Sequence, residues 1–345
     1  MPRYKAEPIF RIVVLPLISR IYLKYRNLGA SSSRLNKLKS FALGRFYRFL
    51  LRVPLASAEG VMEVNVKGTY RKATFNGNNL QFRALYMPVY KSGYEKVTVD
   101  FVSALAQQEA VLLDIGSNWG YFSIYVAAQK DFNGRVYAFE PNPVARKDLD
   151  GIATQTGLDK VITILPYGLG SEASQRGISS DSLVHTGRTQ LTDDSQNVMK
   201  VEIKRLDDVA IPKPDIIKLD AEGMELEILR GAQETLKAHK PVLIFESWAD
   251  LQNPFHTAAL FHFLENLGYA FYVPSLVFKD EYGPVDVQMD GTCASLADKG
   301  QTGVLRLVRI EPQMRPLLQT HLNLVACHKD KITTVEERLK SIACS

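Results

Sequence analysis

The order of apolar and polar positions divides the chain into three stretches. From Ile9 to Tyr25 apolar residues recur at i, i+3 and i+4 (Ile9, Phe10, Val13, Val14, Leu17, Ile18, Ile21, Tyr25), the period of one helical face. Pro16 interrupts this face and is placed to kink or split the helix. Between 61 and 87 the period changes to two: Met62-Glu-Val-Asn-Val66 and Leu80 to Leu85 alternate, and Asn76-Gly77 is a hairpin signal, which predicts a small β-element. Beyond it, short apolar runs alternate with helical patterns. Strands are predicted near 110–115, 135–140, 161–165, 215–220, 242–246, 269–273 and 303–309, and helices near 94–108, 120–130, 143–156, 223–238 and 257–267. This alternation predicts an α/β fold with a mostly parallel sheet covered by helices on both faces. Tyr269–Val273 and Val304–Ile310 have no helical pattern between them and suit an antiparallel hairpin closing the sheet, with 275–302 inserted. Ser171 to Gln196 is polar and long for a connection, as lids and substrate loops are. The boundaries that follow are 1–60 for a basic amphipathic helical extension, 61–93 for the β-element, 94–328 for the α/β domain and 329–345 for a helical tail.

Charge sharpens the picture of the extension. Residues 1–50 hold eleven Lys and Arg and one acid, a charge of +10, against +5 for all 345 residues, so the α/β part is mildly acidic. The longest apolar run of the extension, Ile12 to Ile18, is far short of the roughly 20 residues that span a bilayer. Two readings remain open: an interfacial helical segment on anionic lipid, from residue 9 to 52, or a helical cap or dimer element packed on the core. No nucleic-acid-binding motif accompanies the basic residues, and nucleic acid is not an expected partner. Three widely spaced cysteines, Cys293, Cys327 and Cys344, form no metal-ligand spacing, and the start lacks a signal-peptide cleavage pattern. The expected location is cytoplasmic, with peripheral attachment to the inner membrane face on the first reading of the extension.

Candidate chemistry begins at Val111-Leu-Leu-Asp114-Ile-Gly116-Ser-Asn118-Trp-Gly120-Tyr-Phe. A strand, a glycine turn and a helix in this order form the place where an α/β sheet holds a nucleotide-like cofactor. Glu140 ends the next strand, 26 residues after Asp114, where an acid can accept both ribose hydroxyls. The loop spacing is Gly116-x-x-x-Gly120, without the middle glycine of a pyrophosphate loop. It suits a zwitterionic tail such as the methionine of S-adenosylmethionine better than it suits NAD. Asp114, Gly116, Asn118, Gly120 and Glu140 are therefore the candidate cofactor residues.

At this point the chain resembles the FkbM family of S-adenosylmethionine-dependent methyltransferases. The resemblance is carried by Asp114-Ile-Gly-Ser-Asn-Trp-Gly-Tyr-Phe-Ser123, by Ala138-Phe-Glu-Pro-Asn-Pro143, and most specifically by Lys218-Leu-Asp220-Ala-Glu222-Gly223-Met-Glu225-Leu-Glu-Ile-Leu-Arg-Gly231-Ala. It covers roughly 95–328 and implies a class I, Rossmann-like methyltransferase fold, S-adenosylmethionine as cofactor, and methylation of a hydroxyl on a sugar, glycan or related metabolite. The chain departs from the family pattern in its N-terminal hundred residues and at Leu165-Pro-Tyr167-Gly168.

Methyl transfer to a hydroxyl needs alignment and a base. Asp220 and Glu222 flank the turn after a strand and can face one cleft, where mutual repulsion would raise one of them toward a usable base. Glu246, followed by Trp248, ends another strand and suits a sugar acceptor. His185 and His256 are further base candidates. Asp220 and Glu222 could instead hold a divalent cation, with Glu246 or with Asp207 and Asp208. Glu225 and Glu227 are expected to face solvent or pair with Arg230. Two rivals stand beside the methyltransferase: an NAD-dependent oxidoreductase on the same sheet, and a non-catalytic S-adenosylmethionine-binding scaffold of a glycan-assembly complex.

Overall fold

The structure is a computed structural model. It describes all residues except 1–8, 31–32, 51–57, 91–92, 180–185, 187–190, 193–197, 249–257, 281–282, 289–302, 319–320, 341–342 and 345. The extension opens with strand β1 (Phe10–Val14) and continues in helices α1 (Leu17–Gly29) and α2 (Arg34–Leu50). Pro16 thus does more than kink a helix. It is the N-cap of α1, and the residues before it are extended, because proline has no N–H for a helix interior and pushes its predecessor away from the α region. β1 pairs antiparallel with β2 (Glu59–Val66), and β2 with β3 (Thr69–Asn76), giving a three-stranded sheet. Its hairpin turns at Lys67-Gly68, both at positive φ, whereas Asn76 ends β3 and Gly77 follows it. Leu80–Leu85, expected as a strand, is a 3₁₀ helix capped by Asn79, whose side chain accepts the Gln81 N–H. A local side-chain cap of this kind competes with strand pairing.

α3 (Lys96–Leu105) leads into β4 (Val111–Ile115), α4 (Tyr121–Ala127), β5 (Arg135–Phe139), α5 (Pro143–Thr156) and β6 (Ile162–Leu165). A second small sheet follows. It joins β7 (Gly168–Leu169), β8 (Ser174–Ser179), β9 (Leu191–Thr192) and β10 (Val198–Lys204) in the order β7-β10-β8-β9. The stretch expected as a polar lid therefore carries strand structure at both ends of its described part. The main sheet resumes with β11 (Ile216–Leu219), α6 (Glu225–Arg230), α7 (Gln233–His239), β12 (Val242–Trp248) and α8 (Ala258–Asn266). It ends with β13 (Tyr269–Asp280), β14 (Gly283–Gln288), β15 (Gly303–Ile310), β16 (His321–His328), helix α9 (Ile332–Lys340) and β17 (Ala343–Cys344).

The main sheet runs β17-β15-β13-β16-β12-β11-β4-β5-β6, with β14 on β13. The five strands from β6 to β12 are parallel; β16 is antiparallel to both β12 and β13, and β15 to β13. The antiparallel pair expected from 269–273 and 304–310 exists. However, β16, not expected as a strand, lies between that pair and the parallel strands. Apolar cores fill both faces: Leu112, Ile124, Val136 and Leu149 on one, Leu113, Ile217, Leu229 and Phe261 on the other. The fold is α/β and Rossmann-like. Strand order reverses between β4 and β11, and a crevice opens there at the strand carboxyl ends, the usual ligand position in such sheets.

Candidate functional site

One side of this crevice is the turn after β4. Gly116, Asn118 and Gly120 all have positive φ, at 76°, 51° and 86°. A Cβ on Gly116 would lie 1.8 Å from the Asp220 carbonyl oxygen, and one on Gly120 would lie 2.1 Å from Leu149 Cδ1. Only glycine fits either place. Asn118 tolerates the left-handed conformation, and its side-chain oxygen accepts the Trp119 N–H at 2.8 Å. The Asn118 N–H donates to Glu140 Oε2 at 2.7 Å, and the Asn142 N–H donates to Glu140 Oε1 at 2.8 Å. Burial pushes the Glu140 carboxyl up to about 7, against the lowering effect of those two N–H groups and Arg146. Asp114 is buried in the strand, and its Oδ2 accepts from both the N–H and the hydroxyl of Ser123. Burial raises its pKa, with Lys218 and Ser123 opposing.

These residues fit the S-adenosylmethionine expected from the sequence. The turn brings backbone to the cleft without side chains in the way, and a buried acid ends β5. The buried Ser117 hydroxyl, within the same turn, finds no hydrogen-bond partner among the described residues, which leaves a donor for a ligand.

The other side is built from β11, β12, β16 and the start of α3. Lys218 is fully buried in β11 and reaches Asp220 Oδ2 at 2.6 Å. Burial works against its charge, but Asp220, Glu95 and Asp114 outweigh it and raise its pKa. The Lys218 cation therefore offsets the repulsion expected between Asp220 and Glu222. Glu222 follows on the exposed turn at φ 52°. Glu225 does not face solvent: its Oε1 accepts the N–H groups of Ala221 and Gly223 at 3.0 and 3.2 Å and fixes the turn. Glu227 pairs with Arg230 as expected.

Glu246 on β12 accepts the Trp248 indole N–H at 2.8 Å through Oε2 and bonds His321 Nε2 through Oε1. Burial alone would raise Glu246; the bonds to His321 and Trp248 outweigh it and hold its pKa low. The same bond raises the His321 pKa above the ordinary histidine value, against burial. The imidazole and indole rings lie 4.3 Å apart, as follows from the register that sets Trp248 opposite His321. Ser247, between the two β12 residues, is held by Arg315, whose guanidinium bonds both its hydroxyl and its carbonyl. Asn323, opposite Glu246 in register, donates to Glu95 Oε2 at 2.9 Å.

Asp114, Gly116, Asn118, Glu140, Asp220, Glu222 and Glu246 line one cleft of about 450 Å³. Gly120 supports the turn from behind. His185 and His256 lie outside the described residues. Tyr94, Glu95, Lys218 and His321, none of them a candidate from the sequence, also line the cleft. His321 precedes Leu322 to Cys327, apolar except for Asn323, and this stretch is the sequence signal for a buried strand there. Glu95 had no such signal; it reaches the cleft because Asn323 and the start of α3 bring it there. Asp207 caps α7 through the Glu234 and Thr235 N–H groups. No group of three or more His, Cys, Asp or Glu able to hold a metal ion occurs among the described residues, so the expected divalent cation finds no ligand set there.

The hexuronic acid methyltransferase AglP of Haloferax volcanii is 29% identical to this chain over 143 residues, covering 40% of this chain and 56% of that protein. The chain thus spans a little over half the length of this relative. The methyltransferase sdnD of Sordaria araneosa is 26% identical over 192 residues, covering 45% of this chain and 73% of that protein. The solved structure of a methyltransferase FkbM from Methylobacillus flagellatus overlaps 47% of this chain and 39% of its own, at 21% identity and a TM-score of 0.36. The methyltransferase FkbM domain matches residues 114–271. Those matched residues hold all five cofactor candidates together with Lys218, Asp220 and Glu246, so the similarity to FkbM methyltransferases falls on the cleft.

Proposed function

We propose that this protein is an S-adenosylmethionine-dependent methyltransferase that methylates a hydroxyl of a sugar-like acceptor. The observation that carries the reading is the two-sided cleft: a glycine turn and a buried acid on one side, and a Glu246–His321 pair with an exposed indole on the other. Bound S-adenosylmethionine supplies an electrophilic methyl on a sulfonium. Glu140, held by two backbone N–H groups, is placed for the ribose hydroxyls, and the Gly116–Gly120 turn for the methionine end. With Nε2–H donated to Glu246, Nδ1 of His321 is the nitrogen left to take a proton. It would take the proton of the acceptor hydroxyl as that oxygen received the methyl, the sulfonium becoming a neutral thioether. Glu246 orients the ring and steadies the imidazolium. The half-exposed Trp248 offers an apolar face to a sugar ring. The name of the Haloferax volcanii relative supports a uronic-acid-containing acceptor. The test is transfer of labelled methyl from S-adenosylmethionine to oligosaccharides that contain uronic acid or neutral hexose. Acceptor-dependent release of S-adenosylhomocysteine is expected. A protein that binds the cofactor and releases none with either class would contradict the sugar assignment.

A further inference from the structure

Helix α2 is turned inside out. Its small and polar residues Ser40, Gly44 and Tyr47 are buried, and they pack on α1: Ser40 Oγ donates to the Tyr25 carbonyl at 3.0 Å, a Cβ on Gly44 would meet the Tyr25 ring at 2.9 Å, and Tyr47 and Tyr22 lie 5.2 Å apart. At 100° per residue the opposite side of the helix carries Leu35, Leu38, Phe46 and Phe49, with Phe41 at its border. All five are exposed, Leu38 at 67% and Phe41 and Phe49 at 60% each. A surface helix of a soluble domain shows the reverse arrangement. Arg34 and Arg45 run along one edge of the stripe and Lys39 along the other. From Ile9 to Leu50 the chain carries nine Lys and Arg and no Asp or Glu.

We infer that the α1–α2 hairpin docks on an anionic lipid surface, with the α2 stripe lying in the headgroup region. Charge selects this occupant. A second copy joined face to face would set nine cations against nine cations, whereas an anionic bilayer neutralises them. An apolar stripe with aromatic side chains, flanked by bases, is the composition that lies in the interface plane. No helix among the described residues is long and apolar enough to cross a membrane, so the contact is at the surface. The hairpin is fastened to the cleft: Arg83 stacks on Tyr22 with 3.5 Å to the ring centroid and bonds the Tyr47 hydroxyl at 2.6 Å. It stands in the 3₁₀ helix whose Gln81 and Ala84 line the cleft wall. A docked hairpin therefore holds that wall near the lipid.

The test is co-sedimentation of the full chain with vesicles of neutral phosphatidylcholine and with vesicles containing phosphatidylglycerol. Binding to anionic vesicles is expected to exceed binding to neutral ones by about tenfold or more and to fall as salt rises. Leu38→Gln with Phe49→Gln, two exposed substitutions, is expected to lower anionic binding by about tenfold, with thermal unfolding and S-adenosylhomocysteine affinity unchanged. Equal binding to both vesicle types, or no binding, overturns the inference without reference to any variant. So does a sedimentation-velocity dimer of the wild type that the double substitution dissolves. None of these readouts depends on methyl transfer, so the docking can fail while the proposed activity stands, and the reverse.

Discussion

Glu140 and Glu246 are two carboxylates in one cleft, and their surroundings drive them in opposite directions. The Glu140 carboxylate accepts the backbone N–H groups of Asn118 and Asn142, is almost fully buried, and is pushed up to about 7. Glu246 meets a histidine and an indole and is held below its ordinary value. The first is positioned by its own loop, within 22 residues of its partner. The second depends on a residue 75 positions away on an antiparallel strand. The difference teaches that the proposed cofactor side is a local structure, made by one strand–turn–helix unit and the end of the next strand. The proposed acceptor side is a product of topology. Its chemistry exists only because β16 inserts beside β12.

If that division is right, changes at the two sides separate binding from turnover. The largest effect belongs to His321→Ala, which should lower kcat/KM by about 10²- to 10⁴-fold while cofactor affinity, read by calorimetry, stays the same. The wild-type rate should rise with pH through a pKa above the ordinary histidine value, because only the neutral ring accepts a proton. Glu246→Gln removes the partner that raises that pKa, so the acid limb should move to lower pH with a lower plateau. An unmoved limb would separate His321 from catalysis.

Gly116→Ala strikes the cofactor side through the backbone. Its Cβ would meet the Asp220 carbonyl at a φ that alanine avoids, and a loss of about 3 kcal/mol in urea unfolding is expected. A smaller loss would mean that the turn relaxes away from β11. Next is the pH dependence of stability. An acid whose folded pKa lies above its unfolded value favours the fold while protonated. Its contribution is complete below the unfolded pKa of about 4.5 and is lost as pH rises toward about 7. At full size this amounts to no more than about 3 kcal/mol. Glu140→Gln should flatten that decline in cofactor-free protein. The smallest effect is expected from Trp248→Ala, a rise of about fivefold in acceptor KM, near 1 kcal/mol, with no change in cofactor affinity.

The same contrast explains what was legible in the sequence. The strand–turn–helix at 111–127, the acid after β5 and the acids after β11 are written in contiguous residues, and periodicity and glycine spacing locate them directly. That these strands form a parallel sheet follows from the alternation of strand and helix. His321, Glu95 and the small sheet of β7 to β10 are not written that way. His321 matters because register sets it against Trp248 and within reach of Glu246. Glu225 looks like a solvent-facing helix residue until the turn at Ala221–Gly223 folds back on it. Leu80–Leu85 alternates like a strand, yet Asn79 caps it into a 3₁₀ helix. Residue type and spacing report local structure; partnerships across the sheet need the fold.

The most direct measurement is titration calorimetry of the full chain with S-adenosylhomocysteine, comparing wild type, Glu140→Ala and His321→Ala. The account predicts that wild type and His321→Ala bind alike, and that Glu140→Ala binds at least about tenfold more weakly, a loss near 1.4 kcal/mol. Undiminished binding by Glu140→Ala, or loss of binding in a folded His321→Ala, would contradict the division of the cleft into a cofactor side and an acceptor side.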